Sequence, residues 1–423
     1  MKLKPYSKMK DSGIEWIGKI PEVWTLKKAR FFIIIHGSYA QFTEYENGIS
    51  YFKVDDLNYT SQNLMLEDSE TKVISKGKPI PKLSILIPKR GEAINTNKVV
   101  ISKTECYFDS NVMGLEILSS FSTKFVAYFL LSRTLSDLVD KTTIPQINNK
   151  HIKPLVFSFP QSCIEQEQIA QFLDTQTNKL DSEISKNQKL INLLKEKRQS
   201  IINHVITKGL DPTVQMKNSG IDWIGKIPEH WDIKKLKFST SVSTKKSNIT
   251  TNSLSYVGLE NIEPNTTKLI SVNDEMEESE AKLFVKDNVL FGKLRPYLSK
   301  VWVADFDGRC TSEFLILKGL DYESNFLKFF LISDRCIQTI NSSTYGAKMP
   351  RAEWSFIGNM RLPIPKKDEQ KKIIDFLDKQ ISEMDSLRLN IELQIKKLQE
   401  FRQSLISSAV TGKIDLRNYS ISA

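Results

Sequence analysis

Two long stretches with a seven-residue apolar repeat limit the folds open to this chain more than any other feature. The first, residues 165–207, contains no Pro and no Gly, and its apolar side chains return at two positions of a heptad. Such a narrow seam between charged faces is typical of a helix that packs along another helix. The two rows of the seam are Leu173, Leu180, Asn187, Leu194, Ile201 and Thr177, Ile184, Ile191, Arg198, Val205.

The chain carries a second copy of this stretch at residues 369–411. Phe172-Leu173-Asp174 returns 204 positions later as Phe376-Leu377-Asp378. We name the two stretches arm 1 and arm 2 and predict that they pack antiparallel, each about 60 Å long at about 1.5 Å per residue. The alternative is two surface helices on a globular core. The second seam comprises Leu377, Met384, Ile391, Leu398, Leu405 and Ile381, Arg388, Ile395, Arg402, Ala409.

A motif with two tryptophans stands well ahead of each arm. DSGIEWIGKIPEVWTLKK occupies residues 11–28, and NSGIDWIGKIPEHWDIKK occupies residues 218–235. The Gly and Pro residues of this twin-tryptophan motif indicate a loop, which we expect to fix the chain to a domain face. Stacking of a tryptophan on a base is the alternative. The order motif, variable block, arm occurs twice, so the chain consists of two copies of one unit of about 205 residues.

The variable blocks have a mixed strand and helix pattern. The predicted fold class is α+β, with two similar α/β-mixed domains separated by an antiparallel two-helix coiled coil and related by an internal pseudo-two-fold repeat. Predicted strands lie at 30–35, 83–87, 112–118, 255–259 and 288–291, and predicted helices at 123–140 and 325–340. The predicted boundaries are 1–160 for domain 1, 161–210 for the first arm region, 211–365 for domain 2, 366–415 for the second arm region and 416–423 for a tail.

The composition narrows the choice of partners and compartment. The 423 residues include 60 Lys and Arg against 50 Asp and Glu, a formal net charge of +10, which favours nucleic acid or an anionic membrane as partner. The four cysteines stand far apart with no C-x-x-C spacing, so neither a zinc site nor disulfides are indicated. The N-terminus has no apolar segment of signal-peptide type, and the apolar runs are too short to cross a bilayer. We expect a cytoplasmic protein.

Motifs for catalysis are largely missing. The chain has no G-x-x-x-x-G-K-[S/T] loop and no Asn/Asp-Pro-Pro-aromatic tetrapeptide of a methyltransferase. Glu280-Ala281-Lys282 and Glu369-Gln370-Lys371 have the E-x-K form seen in nucleases, but neither has a Pro-Asp pair placed upstream. The four histidines are scattered and predict no metal cluster or catalytic triad. We therefore expect no catalytic residues, no cofactor and no metal.

Basic residues set among Gly, Asn, Pro and aromatic residues recur at matching places in the two blocks. Arg and Lys bind phosphates, and Arg and Asn can read base edges with paired hydrogen bonds. The set predicts two nucleic-acid contact surfaces, whereas each loop taken singly is also compatible with a solvated turn. The candidate contacts are Lys89, Arg90, Asn97 and Lys98 in the first block, and Lys293, Arg295, Tyr297, Lys348 and Arg351 in the second.

The duplicated layout resembles the specificity subunits of type I restriction–modification systems, over nearly the whole chain. The residues that carry the resemblance are the W-I-G-x-I-P-E-x-W motifs at Trp16 and Trp223, the Pro-rich strand ends at 154–160 and 363–365, and the E-Q…F-L-D openings of the arms at Glu165 and Glu369. The resemblance implies that the blocks are target recognition domains. It also implies that the arms hold these domains apart and dock two modification subunits, to which restriction subunits attach. The seams are polar at Asn187, Arg198, Arg388 and Arg402.

The resulting hypothesis is a non-catalytic subunit that binds double-stranded DNA at a bipartite, asymmetric target. The arms would set the unread gap, since four added residues lengthen a helix by about 6 Å, or one to two base pairs. One alternative is a coiled-coil scaffold that binds only proteins. Failure to bind any duplex at any salt concentration, even with partner subunits present, would favour it. Another is a stand-alone nuclease or methyltransferase with degenerate motifs, which activity of the isolated chain would favour.

Overall fold

The computed structural model describes residues 4–38, 42–58, 64–139, 145–246, 254–272, 281–344, 346 and 348–419. The chain divides into two compact units. The first combines Met1–Gln188 with Glu392–Ala423, and the second is Lys189–Ile391. Each unit therefore contains one variable block and half of each arm. These units are defined by contacts, whereas the predicted domain boundaries divide the chain by sequence and stay predictions.

The first unit is built around a four-stranded antiparallel sheet in the order β4-β10-β7-β8. A three-stranded sheet, β6-β5-β9, adds a parallel pair between β5 and β9. Two-stranded pairs join β1 to β2 and β3 to β11. The strands are β1 Met9–Asp11, β2 Lys19–Pro21, β3 Thr25–Lys28, β4 Ile33–His36, β5 Phe42–Phe52, β6 Lys72–Ser75, β7 Ile85–Pro88, β8 Val100–Ile101, β9 Cys106–Phe108, β10 Val112–Ile117 and β11 Val156–Phe159. The helices are α1 Thr123–Ser132, α2 Asn149–Ile152 and α3 Cys163–Lys208.

The second unit repeats this plan. Its four-stranded antiparallel sheet has the order β15-β21-β18-β19, and its three-stranded sheet, β16-β20-β17, again contains one parallel pair. Two-stranded pairs join β12 to β13 and β14 to β22. The strands are β12 Met216–Asn218, β13 Lys226–Pro228, β14 Asp232–Lys235, β15 Thr240–Ser243, β16 Tyr256–Val257, β17 Lys282–Phe284, β18 Val289–Gly292, β19 Val301–Val303, β20 Gly308–Cys310, β21 Phe314–Gly319 and β22 Arg361–Ile364. The helices are α4 Leu236–Ser239, α5 Ser324–Leu331, α6 Asp334–Ser342, α7 Trp354–Ile357 and α8 Lys367–Val410.

The five predicted strands overlap β4, β7, β10, β16 and β18, and the predicted helices are present, but the sequence does not indicate where two of the helices break. The predicted helix 325–340 is α5 followed by α6, because Ser333 adopts an extended conformation (ψ 138°) at the N-cap of α6. The predicted helix 123–140 ends at Ser132, since Arg133 is extended (ψ 138°), and a short 3-10 helix follows at Leu135–Leu138. Each correction arises because one residue adopts extended rather than helical backbone dihedral angles. The spacing of apolar residues does not reveal such a change.

Both arms are single long helices, and the residues of their predicted apolar seams are buried or half-buried. Between residues 181 and 197 of α3, the side chains that are buried or half-buried are those of the predicted seam: Ile184, Asn187, Ile191 and Leu194. In the first unit Leu173 shares a core with Leu405 and Ala409, while Asp181, further along α3, meets Arg402, further back on α8. The two helices therefore run antiparallel within this unit.

The second unit has the same antiparallel arrangement. Ile202 and Val205 near the end of α3 share a core with Ile373 and Leu377 near the start of α8. Arg198, earlier on α3, lies near Asp385, later on α8. Such burial of a narrow apolar stripe on each helix is the packing that a heptad seam requires.

The second tryptophan of each twin-tryptophan motif packs in the core of its domain and also binds the start of an arm, a contact that the sequence did not predict. Trp24 is fully buried, and its Nε1 donates to Glu165 Oε1 at 3.1 Å. Trp231 is equally buried and donates to Glu369 Oε2 at 2.9 Å. The Gln that follows each Glu also has a fixed role: Gln166 Oε1 accepts from the backbone N–H of Ser122 at 2.9 Å, and Gln370 Oε1 from that of Glu323 at 2.8 Å. The E-Q opening of each arm is therefore a pair of hydrogen-bond acceptors for the domain beside it.

A glycine ends each arm for a packing reason. Gly209 and Gly412 adopt left-handed backbone conformations, with φ +74° and +70°. A Cβ at Gly412 would overlap the Pro21 ring, and a Cβ at Gly209 would lie 3.3 Å from the Trp231 ring. Each arm thus ends tightly against a twin-tryptophan motif, where both the conformation and the space favour glycine.

Candidate nucleic-acid interface

In the second unit, two loops that carry all five predicted contact residues are hydrogen-bonded to each other. The first loop follows β18, and the second precedes α7. The Arg295 N–H donates to Pro350 O at 2.8 Å, and the Ala352 N–H donates to Lys293 O at 3.0 Å. Arg295 has a left-handed conformation (φ 51°) and begins a short 3-10 helix, Pro296–Leu298. The backbone pairing holds both loops beside the end of β18, an inner strand of the four-stranded sheet.

The side chains of these loops fall into two groups. Arg295, Tyr297 and Lys348 are exposed, and within the described part of the chain the Arg295 guanidinium has no ion pair. Arg351 is half-buried and forms an ion pair with Glu313, with 2.6 Å between Nη2 and Oε1. Lys293 is half-buried at the base of the first loop. The exposed group can contact a phosphate or a base edge, whereas Arg351 also holds the loop pair to the sheet.

The first unit has the same loop pairing. The Gly91 N–H donates to Pro145 O at 3.0 Å, and the Ile147 N–H donates to Lys89 O at 2.9 Å. Arg90, between these two bonds, is exposed and forms a backbone bridge with Gln146. Lys89 is half-buried. The structure therefore brings Lys89 and Arg90 to the position that Lys293 and its neighbours occupy in the second unit.

The other two predicted residues of the first unit lie beyond this loop pair and make contacts within the domain. Asn97 has a left-handed conformation (φ 50°), and its Nδ2 donates to Leu131 O at 3.1 Å while its Oδ1 accepts from the Leu135 N–H at 3.0 Å. Lys98 Nζ donates to Asn58 Oδ1. Asn97 therefore ties the loop to the end of α1.

The loop pairing also shows which residues sequence reasoning missed. The shared hydrogen bonds align Pro145 with Pro350, which places Gln146 at the position of Arg351. Lys89 and Lys293 likewise donate their N–H groups to Asn111 O at 2.7 Å and Glu313 O at 2.9 Å. Gln146, Asn111 and Glu313 thus belong to the two sites. Alignment of the two prolines in the sequence would have identified Gln146.

A further lysine, Lys282 of β17, lies near Lys293 of the second loop pair. Burial lowers the pKa of Lys282, and the nearby Lys293 ammonium lowers it further. Lys282 Nζ donates to Ser312 O and Phe314 O, each at 3.0 Å. The carboxylate of Glu313 and the Cys310 side chain act in the opposite direction and raise the pKa of Lys282.

Two residues of the E-x-K tripeptides, Glu369 and Lys282, make contacts within the fold. Glu369, in one E-x-K tripeptide, accepts from Trp231. Glu280, in the other, lies outside the described residues, and its Lys282 binds carbonyls. The described part of the chain has no group of three His, Cys, Asp or Glu side chains that could hold a metal. None of the helices in the described residues is both long enough and apolar enough to span a membrane.

Comparison with known proteins gives one consistent family. The family described as "Type I restriction modification DNA specificity domain" matches residues 37–192 and 226–397. The EcoDI specificity subunit of Escherichia coli is 20% identical over 314 residues, covering 69% of this chain and 70% of that protein. The MjaVIII specificity subunit of Methanocaldococcus jannaschii is 23% identical over 350 residues, covering 78% and 77%.

Solved structures share the fold over nearly the full length. A chain in a structure that describes complex assembly and conformational transition of the type I R-M system has a TM-score of 0.69 at 12% identity, covering 93% of this chain and 99% of that one. The HsdS subunit from Thermoanaerobacter tengcongensis has a TM-score of 0.50 at 12% identity, covering 93% and 98%.

Proposed function

Because the chain belongs to the family of type I restriction–modification DNA specificity proteins, we propose that its two units read the two halves of a bipartite, asymmetric DNA target. The single observation that carries this proposal is the loop pairing that recurs at the same place in both units with different side chains. Gly91 and Gln146 of the first unit correspond to Arg295 and Arg351 of the second. The two units share the backbone pairing but present different side chains. Because side chains read base edges, this favours two half-sites of different sequence.

All nine predicted residues remain candidates for DNA contact, and their surroundings suggest different roles. Arg90, Arg295, Tyr297 and Lys348 are exposed and suited to base edges or phosphates. The other five are half-buried. The lysines among them, Lys89, Lys98 and Lys293, suit phosphate contact, whereas Asn97 and Arg351 hold the loops through the hydrogen bonds described above.

The arms provide the second part of the proposal. Outside the seam, the middle of α3 is exposed over residues 181–197, which leaves surface for partner proteins. We propose that the arms hold the two reading units apart and dock two modification subunits, through which restriction subunits join. The catalytic groups belong to those partners in this scheme, and the complex acts in the cytoplasm, where its DNA target lies.

Mapping methylation sites in cells that express this chain with its modification partner tests the proposal. We expect one non-palindromic motif of two parts with an unspecified gap. A palindromic motif, or methylation without sequence preference, would contradict it. Methyl transfer or DNA cleavage by the isolated chain would show instead that the chain is itself an enzyme.

A further inference from the structure

Arg198 is a charged residue in the seam of arm 1, and its guanidinium binds a loop of the second domain. It donates to the backbone carbonyl of Asn265 and, from Nη2, to that of Thr266 at 3.5 Å. Burial lowers its pKa, and the carboxylate of Asp385 on arm 2 opposes that change. A buried cation is costly unless it is hydrogen-bonded and paired, so these contacts favour one position of the loop on the arm.

The loop that Arg198 binds has a backbone that needs support from outside. Asn265 and Thr267 both have left-handed conformations, with φ 62° and 66°, which are unfavourable for residues other than glycine, most of all for a β-branched one. The loop is closed by the Glu263 N–H to Lys268 O bond at 2.9 Å. Lys268 Nζ also forms an ion pair with Asp385 at 2.7 Å. Two contacts with the arms therefore hold this loop.

The same loop touches the predicted DNA-contact turn on its other side. The Asn265 N–H donates to Leu298 O at 3.2 Å, and the Leu298 N–H donates to Arg295 O at 2.9 Å. Hydrogen bonds thus connect the Arg198 guanidinium to the turn that carries Arg295 and Tyr297. Because Arg295 reaches a base edge only if its backbone is correctly placed, a shift of the loop would change what the turn can read.

The repeat-related arginine is bound differently and gives a matched control. Arg402 stands 204 positions after Arg198. In the first unit it forms a two-bond ion pair with Asp181 on arm 1, at 2.9 and 3.2 Å. The two arginines thus share a place in the repeat and differ in what they hold.

We propose that Arg198 is a positioning residue for recognition of the second half-site, acting through the 263–268 loop on the turn that carries Arg295. This inference rests on the proposed function and adds a specificity role for a residue of the arm. Arg198 itself does not contact DNA in this scheme. Its loss relaxes selection at one half of the target and leaves the other half unchanged.

The test measures methylation by the complete complex on substrates with single base changes in either half-site. Arg198→Met is compared with Arg402→Met, and Arg295→Ala identifies the half-site read by the second unit. We expect Arg198→Met to lower discrimination at that half-site by about tenfold, the amount that one well-placed base contact supplies. Arg402→Met should leave discrimination at both half-sites unchanged, and Arg198→Lys, which keeps a donor for one carbonyl, should recover part of the loss.

Several outcomes would overturn the inference. They are unchanged discrimination in Arg198→Met, equal loss at both half-sites, and loss at the half-site that Arg295→Ala spares. If Arg198→Met does not fold, Lys268→Met replaces it, since Lys268 is half-exposed and braces the same loop. A smaller loss confined to the same half-site then supports the inference, and no loss refutes it. If the wild-type complex shows no bipartite motif, it is the proposed function that fails.

Discussion

Asp181 and Arg402 form a two-bond ion pair between the arms in the first unit, and their repeat equivalents, Asp385 and Arg198, do not copy it. Arg402 Nε and Nη2 lie 2.9 and 3.2 Å from the two carboxylate oxygens of Asp181. Asp385 instead pairs with Lys268, and Arg198 donates to loop carbonyls. The same two repeat positions therefore join the arms to each other in the first unit, whereas in the second unit they hold a loop of the domain against the arms.

Removing the first of these pairs should have a small and salt-dependent cost. The Asp181 side chain is 49% exposed and that of Arg402 23%, so water screens their attraction. We expect Asp181→Asn to lower the free energy of unfolding by about 0.5 kcal/mol. Urea denaturation at low and at high salt measures this, and the difference from wild type should vanish at high salt. A loss above about 2 kcal/mol would mean that the pair acts as a buried one.

The link between the second tryptophan motif and arm 2 should contribute more. Glu369→Ala leaves the Nε1–H of the buried Trp231 without its acceptor, which costs about 1–3 kcal/mol. Thermal or urea unfolding measures the loss. Glu229→Ala, at an exposed position of the same motif, is the control and should change stability by less than about 0.5 kcal/mol.

Two arginines of the second loop pair should separate binding from stability. Arg295 is exposed, so Arg295→Ala should weaken binding to one half-site by about 1–3 kcal/mol without a change in melting temperature. Arg351→Ala leaves Glu313 without its partner at 2.6 Å and should lower stability as well as binding. DNA titration and thermal unfolding of both variants check this. A fall in melting temperature for Arg295→Ala, with unchanged affinity per folded molecule, would give it a structural role.

The cysteines should differ sharply in reactivity. Cys163 is exposed, whereas Cys106, Cys310 and Cys336 are buried, and burial raises the pKa of Cys106 and of Cys336 to about 12. Since the thiolate is the reactive form, a thiol reagent near neutral pH should modify Cys163 alone in the native chain and all four cysteines in denaturant. Peptide mapping identifies the modified residue, and rapid native labelling at Cys106 would contradict the packing.

The same thiols predict the sign of a pH effect. Unfolding would free Cys106 to ionise near its ordinary value of 9.0 rather than near 12. The folded form therefore binds the thiol proton of Cys106 more tightly than the unfolded form does. The stability that this thiol contributes is lost as the pH rises from 9.0 toward about 12.

Arm length should set the gap in the target if the arms separate the reading units. Seven residues added to each arm at matched positions keep the heptad register and lengthen each helix by about 10 Å. The unread gap should then grow by about three base pairs, as methylation-site sequencing would show. The control adds seven residues to the 416–423 tail and should leave the gap unchanged. An unchanged gap in the arm variant would end the spacer hypothesis.

Much of the fold was predictable because its signals are local. The heptad seam depends only on residues three and four apart, and α3 and α8 extend over the predicted arms with at most two residues added or lost at each end. The E-Q openings and the tryptophans repeat in sequence because both copies need the same acceptors for Trp24 and Trp231. The breaks at Arg133 and Ser333 were not predictable, since one extended residue hardly alters an apolar period.

The candidate site was predictable only in part. Loop composition drew the prediction to the basic residues of the two loop pairs, whose role in DNA contact stays a prediction. It did not indicate that the Asn97 amide is hydrogen-bonded to Leu131 and Leu135 or that Arg351 pairs with Glu313. Those partners are distant in sequence and meet only when the sheets form.

The sequence by itself determined the duplicated frame, the two arms and their buried seams, because each follows from spacing along one helix or from a repeat. Only the tertiary structure decided how equivalent positions are used. Arg198 and Arg402 are indistinguishable by heptad position, yet one binds Asn265 and Thr266 and the other binds Asp181. The physical reason is that a half-buried guanidinium binds the acceptors within reach. For Arg402 these are the carboxylate oxygens of Asp181 on arm 1, and for Arg198 they are carbonyls of a domain loop, whose position the heptad does not set.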